Sequence, residues 1–463
     1  MILCPEFCIL NSLMEMLRTD FKNMLRDSVG RHGLSPAELQ RLGRRAERCL
    51  AELKEERDKG RRPFLDLPYQ KETSEEIKRI GRELRSWVKD FVVLGIGGSA
   101  LGNIALHQAL NPPYISGHEN PRIHVVDTID PDLFDGLLKS LDLKHTVFNV
   151  ISKTGTSMET VAQFLIVRER LKDSLGSVYR RHIITTTDPE DGALRRLAER
   201  EGYRQLFIPK EVGGRYSVLS PVGLLSAAVS GINIDELLAG AAEMDRLCQV
   251  GARHAVPLQE NPAMLGACLQ YLSYKRGRHI TVIMPYSSAL EAVGEWFCQL
   301  WAESLGKKSS LKGKVIHCGP TPVRAVGPTD QHSQLQLYME GPFDKVITFV
   351  AVERFKAQVK IPQFPEADFQ YLSGHTLAGL MEAERRGTEL ALAEAGRPSY
   401  TIYIPELSAF HVGGLLYMFQ VQTALAGKLF GVDPFNQPSV AAGKAHTSAL
   451  LGKDRGTLQR DPN

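Results

Sequence analysis

The sequence lacks a charge excess of either sign, a long apolar run and a recognisable export signal. Lysine and arginine total 56 residues against 53 for aspartate and glutamate, a formal net charge of +3 over 463 residues. That balance does not require a nucleic-acid partner. No stretch approaches the roughly 18 apolar residues of a membrane-spanning helix. The first ten residues contain Pro5 and Glu6 and no basic segment, which argues against a secretory signal peptide.

The cysteines also exclude several classes of protein. They are odd in number, widely scattered and never arranged as C-x-x-C: Cys4, Cys8, Cys49, Cys248, Cys268, Cys298 and Cys318. A disulfide framework, a zinc site and a redox centre are therefore not predicted, and we expect a reducing, cytoplasmic location.

The length favours two packed domains, or one large α/β body with appendages, over a single ordinary hydrophobic core. Residues 1–70 are predicted to form a polar helical segment. Short apolar runs alternate with helical stretches over residues 71–240 and again over 258–406, which predicts two α/β domains, each a doubly wound, mainly parallel sheet flanked by helices. A helical segment and tail are expected over 407–463.

Individual elements can also be assigned. Ser35, Pro36 and Glu38 form a helix-start pattern in the N-terminal segment. Strands of the first sheet are predicted at residues 91–94, 124–126, 147–151, 182–185 and 206–208. Strands of the second sheet are predicted at residues 280–284, 315–318, 346–352 and 400–404.

A glycine-rich segment follows the first buried strand. It places Gly95, Gly97, Gly98 and Ser99 between that strand and a helix. Unpaired backbone N–H groups and the helix dipole attract anions at such a position, which favours phosphate binding. A dinucleotide-binding turn fits the same residues in part, and a strand–helix turn without a ligand is a further alternative.

Hydroxyl side chains crowd the end of a second strand. Ser152, Lys153, Thr154 and Ser157 follow the run that ends at Ile151. Open α/β sheets bind ligands at the carboxyl ends of their strands, and hydroxyls with a lysine suit a phosphate monoester. A solvated loop or helix cap has a similar composition, but two such loops on neighbouring strand–helix units would face one crevice.

Charged side chains with catalytic potential follow in later segments. Arg215 comes after two glycines and is placed to neutralise a developing oxyanion. Gln299 and Glu303 lie four residues apart on a helix with a buried apolar face, where a carboxylate can act as a general base. Surface ion pairing and simple helix exposure are the ordinary alternatives for these residues.

Two downstream loops add further polar residues. His332 leaves a loop at a helix start, where a histidine can exchange protons near neutral pH. A turn-rich segment delivers Gln437 and Lys444. Taken singly, a histidine without a catalytic role and a solvated lysine are the plainer explanations.

Taken in chain order, these segments resemble the signatures of the phosphoglucose isomerase family. The matching blocks are Ser-Lys-Thr-x-Thr-Ser-x-Glu-Thr from residue 152, Gly-Gly-Arg-Tyr-Ser from residue 213, and the Gln-x-x-x-Glu spacing that ends at residue 303. The resemblance spans residues 91–444. It implies two sugar-isomerase domains, an isomerase of glycolysis and gluconeogenesis that interconverts glucose 6-phosphate and fructose 6-phosphate through a cis-enediolate, no cofactor or metal, and a homodimer that shares His332 across its interface.

The resemblance also assigns roles to residues. Glu303 would move the proton and Arg215 would steady the enediolate. His332 and Lys444 would assist ring opening. The substrate-binding residues would be Gly98, Ser99, Ser152, Lys153, Thr154, Ser157, Glu159, Gln299 and Gln437.

The sequence departs from the family pattern at one segment. Ser439 and Ala441 stand where the family normally has a glycine and a glutamate, which alters the surroundings expected for Lys444. The N-terminal residues, with Cys4 and Cys8, carry nothing specific to the family.

Competing functions remain open. A non-catalytic sugar-phosphate sensor would use the same hydroxyl loops without needing Glu303, Arg215 or His332. A nicotinamide-dependent dehydrogenase is suggested by the glycine-rich turn alone. Within the isomerases, mannose 6-phosphate is an additional candidate substrate.

Overall fold

The computed structural model describes residues 16–112, 120–249 and 258–452. The predictions made for residues 1–15, including Cys4 and Cys8, and for the final tail lie outside the described residues. Within those three ranges, no helix has both the length and the apolar character needed to cross a membrane.

Twelve strands form the sheets of the described chain. In chain order they are β1 (Arg18–Asp20), β2 (Asp90–Leu94), β3 (Arg122–Val126), β4 (Thr146–Ile151), β5 (Ile183–Thr187), β6 (Arg204–Phe207), β7 (Ile280–Tyr286), β8 (Lys307–Ser309), β9 (Val315–Cys318), β10 (Thr321–Arg324), β11 (Lys345–Arg354) and β12 (Ser399–Glu406).

The first sheet contains five parallel strands in the order β3-β2-β4-β5-β6. Both β2 and β4 are buried along their whole length. Their nearly continuous apolar runs follow from helices that cover both faces of a parallel sheet. In this sheet Leu94 lies opposite Val126 and Val150, so the loops after β2 and β4 leave the same edge side by side.

The second sheet has the order β1-β12-β11-β7-β10. Strands β12, β11, β7 and β10 are parallel, and β1 is antiparallel to β12. The predicted α/β architecture, with two mainly parallel sheets flanked by helices, is therefore confirmed.

Helices fill the space between and around the sheets. They are α1 (Arg26–Val29), α2 (Pro36–Asp58), α3 (Lys71–Arg85), α4 (Leu101–Leu110), α5 (Pro131–Ser140), α6 (Met158–Leu175), α7 (Ala193–Glu201), α8 (Pro221–Val229), α9 (Ile234–Cys248), α10 (Pro262–Lys275), α11 (Glu291–Leu305), α12 (Leu335–Glu340), α13 (Leu377–Glu394), α14 (Ala409–Phe430) and α15 (Val440–Leu450).

Helix α14 lies at the centre of the molecule. Almost every one of its residues is buried, and it contacts α9, α10 and α11. The backbones of α9 and α14 come unusually close, because a Cβ atom at Gly240 would lie 1.7 Å from the carbonyl oxygen of Phe410. A residue with any side chain cannot occupy that position without moving one of the helices.

The predicted start of α2 is confirmed in detail. The backbone N–H of Glu38 donates to Ser35 Oγ, and the backbone N–H of Ser35 donates to the Glu38 carboxylate, with Pro36 at the first helical position. This reciprocal cap pairs N–H groups that the helix itself leaves free.

Three strands differ from the sequence-based expectation. The N-terminal segment is not wholly helical, because β1 extends the second sheet. The run at residues 315–318 is a strand, but it pairs antiparallel with β8 in a separate two-stranded sheet, consistent with the 54% exposure of Val315. The strand that pairs with β7 at that edge of the second sheet is β10, which was not predicted. That strand contains Pro322, which argues against a central strand and is tolerated at a sheet edge.

The domain boundaries remain predictions. The first sheet lies within residues 71–240, and the second sheet, apart from β1, lies within 258–406. Helix α9 crosses the end of the first range.

Candidate active site

The glycine-rich turn after β2 packs directly against the loop that carries Arg215. Gly97 has a φ of +57°, a left-handed conformation that favours glycine. A Cβ atom at Gly98 would lie 2.2 Å from the carbonyl carbon of Gly214. The turn leads into α4, so backbone N–H groups at the start of this helix lie beside the Arg215 loop.

The hydroxyl-rich loop after β4 is ordered by its own side chains. Ser152 Oγ accepts from the backbone N–H of Gly155 at 3.1 Å and donates to Ser157 Oγ at 3.3 Å. The hydroxyls of Thr154 and Thr156 lie 2.8 Å apart. Ser157 immediately precedes α6, so a second helix N-terminus lies at the sheet edge where α4 begins.

Lys153 links this loop to the segment before Arg215. Its ammonium donates to the carbonyl oxygens of Val212, at 3.1 Å, and of Lys210. Burial lowers the pKa of Lys153. The residue therefore joins the two loops through backbone carbonyls.

Arg215 is only 2% exposed and is held from several sides. Its Nε donates to Ser304 Oγ at 2.8 Å, and its Nη1 donates to Gln437 Oε1 at 2.6 Å. Its Nη2 donates to the carbonyl oxygens of Pro434 and, at 3.2 Å, Asn436. These bonds use four of the five N–H donors of a guanidinium group and leave one on Nη1.

Glu303 lies next to that remaining donor. Its Oε2 is 3.6 Å from Arg215 Nη1, and its side chain is 33% exposed. Gln299 Nε2 donates to Glu303 Oε1 at 3.1 Å. The same Nε2 atom lies 3.0 Å from where a Cβ atom of Gly97 would be, so the carboxylate is linked through Gln299 to the glycine-rich turn.

A cavity of about 580 Å³ opens at this carboxylate. Its wall includes Glu303, Lys307, Asn436 and Gln437. Lys307 was not among the residues predicted from the sequence. The feature that could have identified it is its position two residues after the end of α11, because a lysine there can donate to the last helical carbonyls.

Three described residues with assigned roles form no hydrogen bond or ion pair with Glu303 or Arg215, and they do not line the cavity at Glu303. Glu159 lines a separate groove of about 470 Å³ together with residues of α5, α6 and α15. His332 is exposed after β10, and Lys444 is exposed on α15. For the side chains of His332 and Lys444, no hydrogen bond or ion pair with another described residue is formed.

The described part of the chain contains no group of three or more histidine, cysteine, aspartate or glutamate side chains arranged to hold a metal ion. What the loops do offer is anion attraction at two helix N-termini, next to a carboxylate and a buried guanidinium. This combination suits an isomerase that binds a phosphorylated substrate and moves one of its protons.

Comparisons with known proteins define the family. A family model described as phosphoglucose isomerase matches residues 71–459. A glucose-6-phosphate isomerase of Carboxydothermus hydrogenoformans is 45% identical, with 95% of this chain and 95% of that protein covered. One from Thermus thermophilus is 42% identical, with coverage of 84% and 89%. The chain belongs to the phosphoglucose isomerase family, and it is an isomerase.

Solved structures agree with this assignment. A hypothetical protein from Thermus thermophilus superimposes with a TM-score of 0.85 at 40% identity, covering 94% of this chain and all of that chain (100%). A glucose-6-phosphate isomerase from Chlamydia trachomatis gives a TM-score of 0.74 at 25% identity, with coverage of 84% and 74%. The dehydrogenase alternative, which depended on the glycine-rich turn alone, is set aside.

Proposed function

We propose that this chain interconverts glucose 6-phosphate and fructose 6-phosphate by moving a proton between C2 and C1 through a cis-enediolate. The observation that carries the proposal is the 3.6 Å approach of Arg215 to Glu303, with the glycine-rich turn beside them. A proton bound to carbon next to a carbonyl is only weakly acidic. A base and a stabiliser of the resulting oxyanion are therefore both needed.

The phosphate is proposed to bind at the starts of α4 and α6. Gly98 and Ser99 supply the first of these helix starts. Ser152, Thr154 and Ser157 supply hydroxyl donors at the second. Contacts made at the phosphate, remote from the reacting carbons, convert binding energy into orientation at C1 and C2.

Lys153 is proposed to support the phosphate site. Its ammonium is already bonded to the carbonyls of Lys210 and Val212, so we assign it mainly an electrostatic and positioning part in this site.

Glu303 is proposed to act as the base and to return the proton on the same face of the substrate. Arg215 stabilises the enediolate with the N–H donor that its bonds to protein leave free. The sugar hydroxyls are proposed to contact Gln299, which has a buried Oε1 without a partner among the described residues, and Gln437. A polar atom of that kind is suited to a ligand hydroxyl.

We further propose that the working enzyme is a cytoplasmic homodimer in which His332 enters the partner's site. The exposure of His332 supports this arrangement. So does the irregular segment 355–376, which leaves Phe364, Phe369 and Tyr371 exposed by 49%, 55% and 74%. Exposed aromatic clusters mark protein interaction surfaces. His332 and Lys444 would then assist ring opening, with Glu159 in support.

A coupled assay with both hexose phosphates tests the proposal. We expect turnover in both directions without added metal or nicotinamide. Binding of glucose 6-phosphate without conversion would instead identify a sugar-phosphate sensor. Mannose 6-phosphate, assayed in parallel, defines the specificity at C2.

A further inference from the structure

Lys307 is a buried lysine at the end of the helix that carries Glu303. The residue is 9% exposed. Its ammonium donates to the carbonyl oxygen of Glu303 at 2.8 Å and to that of Asn436 at 2.5 Å. The side chain therefore joins the last turn of α11 to the loop that precedes Gln437.

The same loop is bound by Arg215. Arg215 Nη2 and Lys307 Nζ both donate to the Asn436 carbonyl, and Arg215 Nη1 donates to the Gln437 side chain. If Asn436 moves, Gln437 and the guanidinium move relative to Glu303. Lys307 therefore supplies a direct bond between this loop and the end of α11, in addition to the link that runs through Arg215 Nε and Ser304 Oγ.

Burying a charged group is unfavourable, so an ammonium is a poor donor for a hydrogen bond that serves structure alone. Burial, followed by the Arg215 cation, lowers the pKa of Lys307 to about 8, while Asp433, Glu303 and Cys318 act in the opposite direction. At pH values between that pKa and the ordinary value of 10.5, Lys307 binds more protons in the unfolded chain than in the folded chain. The contribution of Lys307 to the free energy of unfolding therefore increases as pH rises through this window and is least favourable below it.

We propose that Lys307 is a positioning residue for proton transfer. Its ammonium holds residues 433–437 against the last turn of α11, so that Gln437 and Arg215 keep their positions relative to the Glu303 carboxylate. This role rests on the proposed isomerase reaction. It requires no contact between Lys307 and the substrate.

Kinetics of Lys307→Met and Lys307→Arg test the proposal, with the exposed Lys312→Met as control. For Lys307→Met we expect kcat to fall about ten- to hundredfold with KM changed less than about threefold, since small misplacements near the reacting atoms are costly. Lys307→Arg keeps a charged donor, so it should recover part of kcat and move the alkaline limb of the kcat–pH profile upward from about pH 8. Lys312→Met should match wild type.

Hydrogen exchange of the peptide covering residues 433–437 supplies a readout that does not depend on activity. Exchange there should accelerate in Lys307→Met and not in Lys312→Met. Wild-type kcat and wild-type exchange in Lys307→Met would overturn the proposal. It would also be overturned if Lys307→Arg lost as much kcat as Lys307→Met and the alkaline limb of its kcat–pH profile did not move. If Lys307→Met does not fold, the Arg variant and its pH profile decide.

Failure of the proposed function gives a different result. Wild-type protein would then bind hexose phosphates without isomerising them. The exchange measurement would still report whether Lys307 holds the loop.

Discussion

Glu303 and Arg215 combine opposite requirements within a few ångströms. Glu303 is one-third exposed and faces the cavity, whereas Arg215 is almost wholly buried and fixed by four hydrogen bonds. A base must reach the substrate, but an oxyanion stabiliser works best when it does not have to reorganise. Glu303 is therefore the side chain that the substrate can reach, and Arg215 is the one that is held in a fixed position.

Replacing the carboxylate tests the base directly. Glu303→Gln keeps the size of the side chain and its contact with Gln299 but cannot accept a proton. We expect turnover to fall by at least about 10²- to 10⁴-fold, the usual contribution of a general base, while substrate still binds. Progress curves and calorimetric titration with glucose 6-phosphate measure the two effects.

A control on the same helix is available. Glu295 is an exposed residue of α11, and Glu295→Gln should leave turnover unchanged. Near-wild-type activity in Glu303→Gln would remove Glu303 from the role of base.

Arg215 should act on the transition state more than on substrate binding. We expect Arg215→Ala to lower kcat about 10²- to 10³-fold with a much smaller rise in KM. Arg215→Lys keeps the charge but loses the forked donors, so its kcat should fall between those of wild type and Arg215→Ala. Steady-state kinetics over both substrates distinguish the effects, and a change confined to KM would make Arg215 a ground-state binder.

At the scale of secondary-structure elements, the site is held by close packing between helices and loops. The glycine-rich turn touches the Gly214 backbone, and α9 touches α14 through Gly240. Such contacts lie at van der Waals distance without side chains between them. Because the backbones touch directly, a small displacement of one element displaces the element packed against it.

Gly240→Ala tests this packing. The added Cβ would overlap the Phe410 carbonyl, so we expect a loss of about 1–3 kcal/mol in the free energy of unfolding. The urea midpoint should fall with little change in the m-value. Gly387→Ala, on α13 with no atom within 4 Å of the new Cβ, should not be destabilised. Equal stability of the two variants would contradict the close approach.

At the scale of the whole molecule, the residues with assigned roles do not all bond to one another. Glu303, Arg215 and Gln437 converge, while His332 is exposed and its side chain forms no hydrogen bond or ion pair with another described residue. We propose that a partner's His332 enters each site. A test of this arrangement therefore needs two different chains in one dimer.

Complementation between two inactive variants tests the shared site. In a dimer of Glu303→Gln with His332→Ala, one site has both defects and the other has neither. Because a statistical mixture contains about half heterodimers, each with one intact site of two, activity should recover to about a quarter of wild type. Two separately tagged variants, unfolded and refolded together, provide the measurement. No recovery, with heterodimers present, would place His332 in its own chain's site.

Much of the fold could be predicted from the sequence. Buried parallel strands are recognisable as continuous branched runs, and the cap at Ser35 depends only on residues within one helical turn. The position of β10 could not be predicted, since Pro322 conceals an edge strand. Neither could the pairing of β9 with β8, because strand partners are chosen by contacts distant in sequence.

The sequence by itself determined which chemical groups are available and on which loops and helices they lie. The hydroxyls, the glycines and the pair Gln299 and Glu303 are each close together in the sequence. Their spacing can therefore be read directly from the order of residues. Only the tertiary structure decided that Arg215 meets Glu303, that Lys307 and Arg215 share the Asn436 carbonyl, and that Glu159 lines a separate groove. Those relations depend on how helices and loops pack across long stretches of chain, and packing distances are not encoded at any single position.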